Sequence, residues 1–207
     1  MKLSSILLLS MVLLMCGSSE NKDFYEADIA RDSVTNAPIK LAKIDSSKYA
    51  QAKDYCKKNG FDTTVAFMLN LRIKSAKKRF FVASLSHDSV LNSGLVTHGH
   101  CQDFYNSKPA FSNEPGSNCS SLGKYKVGGK YTGKFGTAYK LYGLEESNSN
   151  AFDRFVVLHG HSCVPDEEQT MGICQSEGCP TVSPNFLKEL EKIIDNSSKS
   201  ILLWIYY

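Results

Sequence analysis

The 207-residue sequence predicts a mainly β domain of the α+β class, with a helix late in the chain and a small helical extension before the sheet. Two observations support this fold class. Short apolar segments separated by glycine- and serine-rich turns recur from Arg79 onward, which is typical of strands. Apolar residues at clear helical spacing appear late, between Pro184 and Asn196.

Composition and charge narrow the class of protein further. The chain is 42% hydrophobic and 22% charged, which is ordinary for a globular protein and excludes disorder and coiled coil. A formal net charge of +3 is small for this length and excludes a strongly basic nucleic-acid binder. We therefore expect no nucleic-acid partner.

The N-terminal residues predict export. Met1-Lys2, an apolar run from Ile6 to Met15 and small residues after it indicate a signal peptide over residues 1–16. Cys16 stands where a bacterial lipoprotein carries its acylated cysteine, so it is either lipidated or removed with the leader. Residues 17–44 are polar and predict a tether, and the protein is expected in the periplasm or cell envelope, with a membrane attachment if Cys16 carries a lipid.

Residues 45–76 predict the helical extension. A helix is expected to begin at Ser46-Ser47 and to end at Asn59-Gly60. The next apolar run, from Thr63 to Leu71, is too short for its periodicity to decide, and we interpret it as a second short helix.

Residues 77–207 carry the strand pattern. A hairpin is expected from Phe80 to Val96, with its turn at residues 86–89, and Pro184 marks the start of the late helix. Further strands are predicted around residues 125–127, 139–142, 154–159 and 201–207.

Six cysteines follow Cys16, and an exported protein can form disulfides from them. The pairing cannot be read from spacing alone. Local bridges between Cys101 and Cys119 and between Cys163 and Cys174 are the plausible ones. Cys56 and Cys179 are the others.

A histidine at a strand end and a cysteine in a glycine turn carry the chemical signal. Val156-Val157-Leu158 leads to His159, and Cys179 stands between Gly178 and Pro180. A thiol becomes a good nucleophile when a nearby imidazole takes its proton. Gly178 frees the backbone to expose the thiol and to aim main-chain N–H groups at a developing oxyanion.

These residues resemble the L,D-transpeptidase catalytic domain, whose signature is a histidine, a spacer of mid-teens length, and Ser-x-Gly-Cys. Here sixteen residues separate His159 from Ser176, and Ser176-Glu177-Gly178-Cys179 follows. The likeness extends over residues 78–207 and includes His98-Gly99 and several glycine and serine turns: Phe111-Ser112-Asn113, Ser120-Ser121-Leu122-Gly123, Tyr131-Thr132-Gly133 and Gly143-Leu144-Glu145. These segments are similar to the murein-specific branch of that family.

The resemblance implies an L,D-transpeptidase β-sandwich or barrel over residues 77–207 and an activity on peptidoglycan peptide stems. Cys179 would attack a tetrapeptide stem, release D-alanine and hold the acyl group as a thioester. An amine would resolve it to a 3→3 cross-link, or water would resolve it to a trimmed stem. His159 would be the general base, with Ser176 and Gly178 shaping the turn. No metal or organic cofactor is implied, and carbapenems would acylate Cys179.

Substrate contacts are expected from His98, Gly160, His161 and Asn113. Of the two histidines beside Gly99, His98 is placed near the cleft and His100 in the scaffold. His161 shares the strand face of His159 and is either a polar support or a wall of the cleft. We expect Arg154 to pair with Glu145 as scaffold.

Residues 163–174 join base and nucleophile, and we interpret them as a lid whose Asp166, Glu167 and Glu168 could repel or orient an incoming amine.

Three positions depart from the family's usual pattern. Glu177 replaces a histidine, Pro180-Thr181-Val182 replaces a segment with an arginine or asparagine, and Gly160 replaces a hydroxyl residue. The sequence leaves open which group orients His159 and which binds the substrate carboxylate.

Two other functions stay possible from the sequence. The His-x-His clusters at His98–Cys101 and His159–Cys163 could hold Zn²⁺ in a metallohydrolase or a metal-binding envelope protein, because imidazole and thiolate are preferred zinc ligands. A wall-binding lipoprotein without catalysis is the second alternative.

Overall fold

The computed structural model describes residues 44–105 and 108–207, so the predicted signal peptide, Cys16 and the tether up to residue 43 lie outside the described residues. The described chain forms one sheet of eight strands and two α-helices. None of the helices in these residues is long and apolar enough to cross a membrane. The elements in chain order are α1 (Ser46–Lys58), β1 (Val65–Asn70), β2 (Phe80–Ser84), β3 (Ser89–Gly94), β4 (Gly123–Gly133), β5 (Gly136–Gly143), β6 (Val157–Gly160), β7 (Thr181–Val182), α2 (Pro184–Asn196) and β8 (Leu202–Tyr206).

The strands lie in the order β3-β2-β1-β8-β4-β5-β6-β7. Most neighbours are antiparallel, and β1–β8 and β6–β7 are the parallel pairs. The sheet curls, because Val96, just beyond β3, forms an antiparallel bridge with Val182 in β7 at the opposite edge. The two ends of the sheet therefore meet beside the cysteine of the predicted signature.

Both faces of the sheet are buried. Strand alternation sends Phe67 and Leu203 into a core that α2 closes with Leu187 and Leu190. The neighbouring residues on the strands, such as Met68 and Trp204, enter the second core, against α1. Burying apolar area on both faces is the main stabilising contribution to this fold.

The helix predicted for Thr63 to Leu71 is wrong. Residues 65–70 form β1, which lies between β2 and β8 in the middle of the sheet. Val65 to Leu69 are all buried, so the segment is a continuous apolar run without polar alternation. Such a run does not distinguish a central strand from a buried helix by its period. The second half of the 45–76 segment therefore belongs to the sheet.

The other main predictions are confirmed. The mainly β class, α1, the β2–β3 hairpin, α2 and the closing strand β8 all occur where the sequence placed them. Asp45, rather than Ser46 or Ser47, caps α1 by accepting a hydrogen bond from the Lys48 N–H. The strand predicted from Arg154 is shorter than expected, since β6 begins only at Val157.

Candidate active site

The turn that carries Cys179 is fixed by two hydroxyl groups. The Cys179 carbonyl accepts hydrogen bonds from Ser176 Oγ at 2.7 Å and from Thr97 Oγ1 at 3.1 Å. Ser176 Oγ also accepts from the Gly178 N–H at 3.2 Å. Ser176 therefore shapes the turn, and Thr97 ties it to the segment that follows β3.

Gly178 is required by this turn. Its φ of 112° lies in the region that favours glycine, and a Cβ there would stand 2.8 Å from the Cys119 carbonyl oxygen. The peptide before Cys179 thus packs directly against the Cys101–Cys119 segment. A larger residue would displace the sulfur from its place.

The His159 imidazole is held on both nitrogens. It lies in β6, is 7% exposed, and places Nδ1 3.1 Å from the Gly160 carbonyl oxygen. Because a carbonyl only accepts, Nδ1 carries the proton and Nε2 carries the lone pair. The Thr181 hydroxyl, 3.0 Å from Nε2, then donates to it. The sequence left open which group orients His159, and the geometry assigns this to Gly160 and Thr181.

An aromatic ring covers the face of this imidazole. Phe135 stands at the tip of the β4–β5 hairpin, stacks on His159 with ring centroids 5.1 Å apart, and meets His161 edge-on at 5.4 Å. The Phe135 side chain is nevertheless about half exposed, at 51%. The hairpin tip is therefore a wall of the site.

The sulfur of Cys179 lies at the start of the strand that carries His159. The Val157 N–H donates to Sγ at 3.4 Å, and Phe155 O lies 3.7 Å from it. The thiol is free, while Cys179 and His159 line one cleft of about 350 Å³. Among the hydrogen bonds of the described residues, none joins the sulfur to the imidazole.

Burial makes both groups of the pair neutral at rest. It raises the pKa of the Cys179 thiol, with a further increase from Glu177, whereas the Val157 N–H and Arg154 act to lower it. Burial also lowers the pKa of His159, and the nearby His161 lowers it further. At neutral pH the imidazole is a free base beside a protonated thiol, which is the starting state for general-base catalysis.

The other predicted residues divide between the cleft and the scaffold. Ser176 and His161 line the cleft together with Cys179 and His159, and so does His100, which the sequence had assigned to the scaffold. His98 is instead 2% exposed. The predicted roles of His98 and His100 are thus exchanged.

His98 belongs to a buried polar pair. The Arg79 guanidinium donates to His98 Nδ1 at 3.0 Å and to the Val96 carbonyl at 2.7 Å. Burial, with the neighbouring Arg79 charge, lowers the pKa of His98 to about 4. His98 lines a separate cavity beside Gln175, outside the cleft of Cys179.

Asn113, which the sequence predicted as a substrate contact, forms its hydrogen bonds within the loops near β5. Its amide nitrogen donates to Glu146 O at 2.9 Å and to Ser149 Oγ at 3.0 Å, and its carbonyl oxygens accept from Asn150. Asn113 is not among the residues that line the cleft. It ties the loop after the Cys101 segment to the turn that follows β5.

Both local disulfides form. Cys101 pairs with Cys119 and Cys163 with Cys174, while Cys56 and Cys179 are free. Cys101 and Cys163 therefore cannot act as zinc thiolates, which removes the thiolates from the proposed zinc clusters. Within residues 44–105 and 108–207, no group of three metal-ligating side chains is found.

The acidic side chains of residues 163–174 bond to partners outside the cleft. Asp166 accepts from Ser183 Oγ and Asn185 Nδ2 at the start of α2. Glu167 and Glu168 form ion pairs with Lys78 and Lys77 respectively. The segment is pinned at its middle, and these carboxylates do not line the cleft.

Arg154 does not pair with Glu145, as the sequence had suggested. Glu145 forms its ion pair with Lys124. Arg154 donates to the carbonyls of Cys119 at 2.6 Å and Ser112 at 2.9 Å, and Nη2 lies 3.4 Å from the Cβ position of residue 178. Its charge is thus placed next to the turn that carries Cys179.

Thr181, Phe135 and Arg154 contribute to the site in ways that the sequence did not predict. Thr181 appeared only as part of a departure from the family pattern. Phe135, between Gly133 and Gly136 in a β-hairpin, is the exposed aromatic residue that a turn signal would have identified.

The fold is mainly β, with a curled sheet, and one cleft holds a free thiol and a neutral imidazole. This arrangement is suited to acyl transfer. The chain belongs to the L,D-transpeptidase catalytic domain family, whose profile matches residues 37–206. No curated protein sequence gives a significant match.

Solved structures of L,D-transpeptidases are similar to this chain. They include an L,D-transpeptidase from Mycobacterium smegmatis, with 12% identity over 70% of this chain and 59% of that chain, at a TM-score of 0.39. The structure of LdtMt1 in complex with imipenem has 12% identity to this chain, covers 69% of this chain and 59% of its own, and gives a TM-score of 0.40. The L,D-transpeptidase from Xylanimonas cellulosilytica has 13% identity to this chain, with 74% of this chain and 68% of that chain covered, and a TM-score of 0.39. The matched region spans 59% of the first two of these chains.

Proposed function

We propose that this protein is an exported cysteine-dependent L,D-transpeptidase that acts on the tetrapeptide stems of peptidoglycan. The observation that carries the proposal is the free Cys179 thiol, which shares one open cleft with the His159 imidazole. Membership of the L,D-transpeptidase family supports the reaction class.

The acylation step begins with proton transfer from Cys179 to Nε2 of His159. The Thr181 hydroxyl occupies Nε2 at rest and lies 3.5 Å from the Cys179 carbonyl, so it can turn toward that carbonyl when the thiol approaches. Sulfur then attacks the stem carbonyl, the C–S bond forms, and the C–N bond to D-alanine breaks. The proton on His159 passes to the leaving amine.

The Gly178 N–H is used by Ser176, so we assign the developing oxyanion to the main-chain N–H of Cys179. His159, held by Gly160, then serves as the base that activates the acceptor. An amine acceptor gives a 3→3 cross-link, and water gives a tripeptide stem.

Export and anchoring complete the proposal. Two disulfides in the described residues fit an oxidising compartment. The apolar leader over residues 1–16 supports secretion, and Cys16 supports a lipid anchor in the cell envelope. Mass determination of the protein from membranes of its native host would detect the diacylglyceryl group on Cys16.

Muropeptide analysis of tetrapeptide-rich sacculi incubated with the purified chain tests the activity. We expect D-alanine release with new 3→3 dimers or tripeptides, and complete loss of this release in Cys179→Ala. Cys56→Ala is the matched control, because Cys56 is the other free thiol among the described residues and burial raises its pKa to about 12.

Mass spectrometry after incubation with imipenem supplies a second readout. The adduct should map to Cys179. Full D-alanine release by Cys179→Ala would refute the proposal, and sacculi that bind the wild-type chain but stay unchanged would support the wall-binding alternative.

A further inference from the structure

Glu177 contributes a carboxylate to the wall of the catalytic cleft. It stands two residues before Cys179, is exposed, and lines the same cleft as the sulfur and the His159 imidazole. No hydrogen bond or ion pair joins its carboxylate to another described residue. The acids of residues 163–174 are engaged with lysines and with the start of α2 instead.

The charge of the Glu177 carboxylate disfavours ionisation of Cys179, and the Glu177 side chain does not stabilise the turn. Its negative charge acts to raise the pKa of Cys179, which reduces the thiolate available for acylation. The turn around it is held by Ser176 and Thr97 and uses no atom of the Glu177 side chain. A charge on the wall of a cleft attracts molecules of the opposite charge into the cleft.

The remaining charged lining residue has the opposite sign. Lys134 lies at the tip of the β4–β5 hairpin, with Nζ 5.3 Å from the Phe135 ring centroid. The histidines of the cleft, His100, His159 and His161, are the other titratable groups besides Cys179. A cation inside the cleft therefore finds Glu177 as its one carboxylate partner among the lining residues.

We propose that Glu177 is a specificity residue that binds the ammonium group of the amine acceptor and favours aminolysis of the thioester over hydrolysis. This inference rests on the proposed transpeptidase function. One acceptor proton leaves to solvent past Glu177, and His159 removes the second as the C–N bond forms. The C–S bond breaks, and His159 returns that proton to the sulfur. An ammonium ion and a thioester thus give an amide, a thiol and one released proton.

The partition of the acyl-enzyme tests this role in Glu177→Gln. The wild-type chain is acylated with tetrapeptide stems and offered lysinamide, which is cationic at neutral pH, or hydroxylamine, which is neutral. We expect Glu177→Gln to lower the lysinamide rate about threefold to fivefold, the effect of one solvent-exposed charge pair. The hydroxylamine rate does not fall, and acylation is not slowed, because removal of the Glu177 charge favours the Cys179 thiolate in both steps. Glu189→Gln is the control, because Glu189 pairs with Lys192 on the surface of α2.

A second measurement does not require acylation of Cys179 by a peptidoglycan stem. Cys179 is modified with two methanethiosulfonates, one carrying a trimethylammonium group and one a sulfonate group. A change in the thiol pKa affects both rates equally, so their ratio isolates the charge of the cleft. We expect the ratio of the cationic to the anionic rate to fall about threefold to fivefold in Glu177→Gln and to stay constant in Glu189→Gln.

The two experiments separate the possible failures. An unchanged reagent ratio, or equal losses with lysinamide and hydroxylamine, overturns the assignment of Glu177 even if D-alanine is released. A shifted ratio without any D-alanine release overturns the transpeptidase proposal and retains a cation-selective cleft.

Discussion

Replacing Arg154 by methionine should make Cys179 a slower nucleophile. The guanidinium donates to the carbonyls of Cys119 and Ser112 and to the hydroxyl groups of Ser117 and Ser121. All four acceptors are neutral, so the positive charge has no carboxylate among its hydrogen-bond partners. It acts to lower the pKa of Cys179 against the effect of burial.

The size of the effect follows from the packing of the turn. Nη2 lies 3.4 Å from the Cβ position of Gly178, and Cys179 is the next residue. A separation on the order of 7 Å and an effective dielectric constant of about 20 give about 2 kcal/mol of attraction to a thiolate. Because Cys179 is partly exposed, screening reduces this value, and we expect the pKa of the thiol to rise in Arg154→Met and its alkylation rate at neutral pH to fall about tenfold.

The assay is the rate of iodoacetamide alkylation of Cys179 as a function of pH. Arg154→Met should move the inflection of the profile upward, and Arg154→Lys should restore most of the rate because it keeps the charge. Arg72→Met removes an exposed arginine just after β1 and serves as the control for net charge.

Unfolding must be measured beside reactivity, since the variant leaves two carbonyls without their donors. We expect a loss of about 2–4 kcal/mol in the free energy of unfolding for Arg154→Met. A folded Arg154→Met chain with the wild-type pH profile would refute the electrostatic role and leave Arg154 as scaffold alone.

Three further perturbations have defined outcomes. Phe135→Ala uncovers the His159 imidazole, so its pKa should rise toward about 6.5, as followed by an NMR titration; an unchanged value would show that the ring does not desolvate the base. Opening the Cys163–Cys174 disulfide by a double serine substitution should cost about 3 kcal/mol of unfolding free energy, given the 11-residue separation, and equal stability in denaturant would contradict this. For Asp62, burial acts to raise the carboxyl pKa, but hydrogen bonds led by that of Ser197 outweigh it, and the pKa is lowered. Asp62→Asn should therefore cost about 1–2 kcal/mol at neutral pH, and the difference from wild type should begin to shrink as the pH falls below about 4 and vanish only below the lowered pKa of the folded wild-type carboxyl.

The sequence predicted those features of the fold that depend on contacts between residues close together in the chain. The β2–β3 hairpin, α2 and both disulfides connect residues that are near each other in the chain, and each was expected from turns, spacing or proximity. Cys179 and His159 were expected from a motif. β1 was missed because it lies between β2 and β8 in the middle of the sheet, and both of its faces are buried in the two cores, which removes the alternation that marks a strand.

The partners of the imidazole depend on strand register, which the sequence does not state. The β6–β7 pairing places His159 opposite Thr181, and this brings the Thr181 hydroxyl to Nε2. The β5–β6 pairing places Ala138 opposite His159, which carries the tip of the preceding hairpin, with Phe135, over the ring. A shift of one residue in either register would turn these side chains to the other face of the sheet.

The charges near the Cys179 sulfur also come from residues that are distant in the sequence. They involve two of the departures from the family pattern. This chain has Thr181 in the segment after the cysteine where many relatives carry an arginine or asparagine, and the positive charge near the turn comes instead from Arg154, before β6. Glu177, where relatives have a histidine, opposes it from the cleft side. Burial has the largest effect on the pKa of Cys179, and charges from two segments that meet only in the folded chain adjust it further, so substitutions at Arg154 and Glu177 should shift it in opposite directions.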